Sequence, residues 1–64
     1  MSSEKITITA ELTTEQAWQF AQFLKRVGFT DYRALAENDA QTYEMRSAGD
    51  VIREALAEAG YSPR

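Results

Sequence analysis

The chain has no cysteine and no histidine among its 64 residues, and only one proline and three glycines. Without cysteine there is no disulfide framework, no thiolate metal site and no thiol nucleophile. Without histidine, the side chain that most often serves as a base near neutral pH is missing. The glycines, Gly28, Gly49 and Gly60, are scattered rather than clustered, so no phosphate-cradling loop is encoded. Ser2, Ser3 and Ser62 fall in the terminal tails, and Ser47 reads as a helix cap. These gaps argue against an enzyme and against a bound cofactor or metal.

Long apolar runs are missing too. Nothing approaches the ~18 consecutive apolar residues of a membrane span, and Met1-Ser2-Ser3-Glu4-Lys5 lacks the basic-then-apolar order of a secretory signal. The expectation is a soluble cytoplasmic protein with no membrane partner. Ten acidic residues against seven basic ones give a formal charge of −3. That sign opposes a general affinity for nucleic acid, and its size is too small to mimic a phosphate backbone. At this length one domain is the limit, and a core of this size rarely supplies more than ~3–5 kcal/mol unaided. Self-association is the remaining route to further burial.

What is present begins with an alternating segment. In Lys5-Ile6-Thr7-Ile8-Thr9-Ala10-Glu11-Leu12, Ile6, Ile8, Ala10 and Leu12 share one face, and Lys5, Thr7, Thr9 and Glu11 share the other. This period of two predicts a half-buried β-strand over 5–12. No later segment has the pattern to pair with it. Its backbone groups then need a strand from elsewhere, most simply the same segment of a second copy. The reading is a homodimer joined through Ile6, Ile8, Ala10 and Leu12.

Helical signals follow. Thr13 with Gln16 has capping-box spacing, and the apolar pattern predicts a helix over 14–27. Gly28 stands where a left-handed C-terminal residue is wanted, with Phe29 folding back on Leu24. Ala17, Phe20, Ala21, Leu24 and Val27 form the stripe, flanked by Phe23 and Trp18. The whole arc spans about 220°, more than one packing partner covers. A short helix over 31–36 carries Tyr32 and Leu35 inward. A last helix over 39–59 shows the row Met45, Ala48, Ile52, Ala55 and Ala59, widened by Val51 and Leu56, and stops at Gly60-Tyr61. Two starts compete, Asn38 with Gln41 and Ser47 with Asp50, and Gly49 weakens the helix by ~1 kcal/mol relative to alanine. The expected fold is a single small domain, 1–64, mainly α with one N-terminal strand, β-α-α(-α).

Candidate sites are few. Asp50, Glu54 and Glu58 recur at i, i+4 and i+8, a row able to hold a hard cation or act as an acid/base pair. It reads first as a solvated face with Arg46 and Arg53 nearby to moderate repulsion, or as a surface for a basic partner. Lys25, Arg26 and Arg33 read first as cations complementing a helix C-terminus rather than as phosphate contacts. Trp18 and Phe23, at the two margins of an overfull stripe, read equally as core or as an interface hot spot.

The strand followed by helices, with Arg46-Ser47 and Asp50-Val51-Ile52-Arg53-Glu54-Ala55-Leu56 in the last helix, resembles the ribbon-helix-helix regulators. That resemblance implies two strands paired between subunits, with Lys5, Thr7 and Thr9 reading bases in DNA. The stretch Phe29 to Met45 is longer than that family's tight inter-helix link, so DNA binding is the alternative reading, as a transcriptional regulator or antitoxin. A second resemblance spans more of the chain. Residues 12–29, with the ending Ile52-Arg53-Glu54-Ala55-Leu56-Ala57-Glu58-Ala59-Gly60-Tyr61, look like short uncharacterised proteins of proteobacteria, their phages and mobile elements. It implies a small inhibitor of the anti-CRISPR type. The leading expectation is therefore a non-enzymatic protein that binds and obstructs a host protein or ribonucleoprotein complex. Trp18, Phe23, Asp50, Glu54 and Glu58 are its partner-binding residues.

Overall fold

The structure, a computed structural model, describes residues 4–63; Met1, Ser2, Ser3 and Arg64 lie outside that range. Three helices follow one another: α1 (Thr14–Arg26), α2 (Phe29–Ala34) and α3 (Asp39–Glu58).

The N-terminal strand is not there. Among the described residues no segment is a β-strand, and those from Glu4 to Thr13 adopt neither helix nor sheet. Ile6 is 87% exposed, and Ile8, Ala10 and Leu12 are exposed as well. The physical reason is that alternation supplies a face, whereas a strand also needs a ladder. Every element among the described residues is helical, so these backbone groups have no sheet there to join. The fold is therefore all-helical, and the ribbon-helix-helix likeness loses the ribbon that would present Lys5, Thr7 and Thr9 in register. All three sit on the exposed irregular segment.

α1 starts where its side chains satisfy the first orphan donors. Thr13 Oγ1 accepts from the Gln16 N–H at 3.0 Å, and Gln16 Oε1 accepts from the Thr13 N–H at 3.0 Å. Such a cap is worth about 1 kcal/mol. The other end departs from the expected stop. Val27 is extended (φ −64, ψ 132), and Gly28 is extended too (φ −117, ψ 177) rather than left-handed. Asp31 explains this, because its Oδ2 accepts from the Gly28 N–H at 2.8 Å and a new helix begins at once. Phe29 opens α2 and meets Tyr43 at 5.3 Å between ring centroids. Leu35, expected inward, is 84% exposed.

α3 takes the earlier of its two possible starts and runs unbroken past Ser47. Asn38 Oδ1 accepts from the Gln41 N–H at 2.8 Å, while Gln41 Oε1 accepts from the Glu37 N–H at 2.7 Å. Arg33 braces the turn before it, donating from Nε to Asp39 Oδ1 at 2.7 Å and from Nη1 to the Ala36 carbonyl at 3.2 Å. The helix ends in a Schellman motif. The Tyr61 N–H reaches the Leu56 carbonyl at 2.8 Å, the Gly60 N–H reaches that of Ala57 at 3.0 Å, and Gly60 has φ 104.

α1 and α3 lie antiparallel: Trp18 near the start of one meets Tyr61 beyond the end of the other, and Leu24 lies beside Gly49. Ala17, Ala21, Leu24 and Leu56 are the buried apolar centre, with Val27, Ile52 and Tyr61 against it. The two alanines let the helices approach closely. The inward row of α3 is Thr42, Met45, Gly49, Ile52 and Leu56, stepping by three and four. It differs from the expected row, since Ala48, Val51, Ala55 and Ala59 are all exposed. Thr42 is 0% exposed and tolerates burial because its Oγ1 donates to the Asn38 carbonyl at 3.0 Å. Among the described residues no helix is long and apolar enough to cross a membrane.

Candidate interaction surfaces

Two surfaces stand out, and they face in different directions. The first is an apolar strip on the outer flank of α1. Phe20 and Phe23 lie on one side of the helix, their rings stacked at 5.6 Å between centroids with 13° between planes. They remain 43% and 54% exposed. Toward the N-terminus they join Leu12 around a depression of about 530 Å³. Toward the C-terminus Phe23 joins Val27, Tyr32, Leu35 and Met45 around a second depression of about 630 Å³. Phe23 and Gln19 line both, so the strip is continuous. Its polar edge is Glu15, Gln19, Gln22 and Arg26, again stepping by four and three along the helix. Gln19 Nε2 donates to Glu15 Oε2 at 2.8 Å. The edge is therefore acidic at one end and basic at the other.

The second surface is the acidic row. Asp50, Glu54 and Glu58 are all exposed on α3. At about 100° per residue they centre opposite Gly49, Ile52 and Leu56, the residues turned toward α1. The row thus faces away from α1. Arg46 and Arg53, expected to moderate it, make no ion pair with it; the ion pair found among the described residues is Arg33–Asp39. Nor do any three Asp or Glu side chains of these residues converge as a cation site.

The five residues assigned to partner binding are not brought together. Phe23 belongs to the strip on α1, and Asp50, Glu54 and Glu58 to the face of α3 turned away from α1. Trp18 packs edge-on against Tyr61 at 5.1 Å and 74°, tying down the C-terminal end. The basic cluster is also divided: Lys25 and Arg26 sit in the last turn of α1, where they complement its dipole, and Arg33 is engaged by Asp39. Phe20 is the strip residue the sequence placed inward. The signal that could have found it was the breadth of the α1 arc, which exceeds what α3 covers.

No curated protein and no solved structure shows detectable similarity to the chain. One family model does match, over residues 1–64, and it carries no functional assignment. The chain belongs to that family, described as a family of unknown function, DUF7706.

Proposed function

We propose that this is a non-enzymatic interaction protein that binds a basic surface on a host protein or ribonucleoprotein complex and obstructs it. The observation that carries this reading is the acidic row of α3. Three carboxylates share an exposed face turned away from the helical core, and among the described residues no cation is in an ion pair with them. A surface of one sign, left uncompensated, attracts and orients a partner of the opposite sign. Basic surfaces that accept nucleic acid are the chemistry that fits. An inhibitor occupying such a surface needs no catalytic group of its own.

The test uses the full chain. A tagged copy is expressed in a bacterial host, the co-purifying protein is identified, and its affinity is measured for wild type and for the combined variant Asp50→Asn, Glu54→Gln, Glu58→Gln. The expected result is at least about a tenfold loss, shrinking as salt is raised. Equal affinity of the two forms at low salt would sink the reading.

A further inference from the structure

The apolar strip on α1 is large for so small a protein. The accessible surface of the chain is 5572 Å², against about 4,100 Å² for a compact monomer of 7.2 kDa. The extended segment before Thr13 accounts for part of the excess, and the strip for another part. From their exposures, Leu12, Phe20, Phe23 and Leu35 leave roughly 400–500 Å² of mostly apolar residue surface in water. With the glutamines and Arg26 at its edge, the strip approaches the ~800 Å² per partner of a standard interface.

We infer that a second copy of this chain covers the strip, through antiparallel pairing of the two α1 helices about a two-fold axis. The polar edge is self-complementary in that arrangement and in no parallel one. Glu15 lies in the first turn of α1 and Arg26 in the last, and neither is in an ion pair within the chain. Antiparallel pairing brings the Glu15 end of each copy to the Arg26 end of the other and opposes the two helix dipoles favourably. With the axis near the middle of α1, Phe20 of one copy meets Phe23 of the other. Leu12 of each copy then falls beside the depression formed by Val27, Tyr32 and Leu35 of its mate. The interface is isologous, as a closed dimer requires. It uses helix faces, not the alternating residues 5–12, and it leaves both acidic rows pointing outward. It goes beyond the reading of the acidic row and does not depend on it.

Sedimentation equilibrium of the full chain, from low micromolar to high micromolar concentration, tests this. The expected particle has twice the 7.2 kDa chain mass. Phe20→Gln with Phe23→Gln should weaken self-association about a hundredfold with an unchanged helical circular dichroism spectrum. Glu15→Arg or Arg26→Glu alone should each weaken it about fivefold, and the two together should return it to within about twofold of wild type. Because the chain has no cysteine, Gln19→Cys treated with a short bis-maleimide should give a covalent dimer, while Glu54→Cys should not. The cross-link keeps the question decidable if the phenylalanine variant fails to fold. The triple variant of the acidic row should self-associate like wild type, which separates the two proposals. A monomer at every concentration, a dimer indifferent to the phenylalanine changes, no recovery in the charge-reversed pair, or equal cross-linking at positions 19 and 54 would each overturn the inference.

Discussion

The ring of Tyr32 lies across the place that a β-carbon on Gly49 would occupy, with its Cζ only 3.2 Å from that point and its hydroxyl closer still. Leu24 Cδ2 stands 3.7 Å away on the other side. The glycine that weakens α3 as a helix is thus the residue that lets α2 and the end of α1 settle against it. Local propensity is sacrificed for close approach.

Gly49→Ala should therefore destabilise the protein, although alanine is the better helix former. The propensity gain is ~1 kcal/mol, and displacing a packed ring costs about 1–3 kcal/mol. We expect a net loss of about 1 kcal/mol in urea unfolding. In a Tyr32→Ala background the obstacle is gone, and the same substitution should become stabilising. A Gly49→Ala change that stabilises the otherwise native chain would show that the ring yields freely.

The other glycines divide cleanly. Gly60 has φ 104, and its open surroundings give an added β-carbon nothing to strike, so Gly60→Ala is opposed by backbone strain alone. A loss of about 1 kcal/mol is expected. Gly28 is extended, with its nearest neighbour 3.8 Å from the added carbon. Gly28→Ala should be neutral or slightly stabilising. Thermal melts of the two variants, run side by side, read the contrast directly.

Trp18 is the sole tryptophan, and its ring meets Tyr61 edge-on. Its fluorescence should report whether the C-terminal end is docked. Tyr61→Ala should shift the emission toward that of a solvated indole and cost about 1 kcal/mol, the scale of such an aromatic pair with its share of burial. An unmoved emission maximum would mean that Tyr61 does not shield the indole in solution.

What could be read from the residues follows the range of the forces involved. The starts at Thr13 and Asn38 and the stop at Gly60 are readable because each depends on groups no more than five positions apart along the chain. The failures lie at longer range. Residues 5–12 carry a strand's alternation, but a ladder depends on what else the chain offers, and it offers only helices. Gly28 matches a helix stop in spacing, yet Asp31 competes for the same backbone and starts α2 instead. The inner row of α3 was misread because Thr42 and Gly49 do not look like core. Thr42 is buried through a bond to its own helix, and Gly49 is half-buried beneath a neighbour's ring. Phe20 and Phe23 could not be sorted between inside and outside from a helical wheel, because the arc was broader than any one partner and the partner's position was unknown.

The seam where α1 meets α3 is narrow: among the described residues its buried apolar side chains are Ala17, Ala21, Leu24 and Leu56, two of them alanines. So little oily surface leaves water here that the heat capacity gained on melting should fall below the ~12–15 cal/mol/K per residue usual for globular domains. Heating should then produce a gradual slope spread over tens of degrees rather than a sharp step, because a small enthalpy makes a shallow transition.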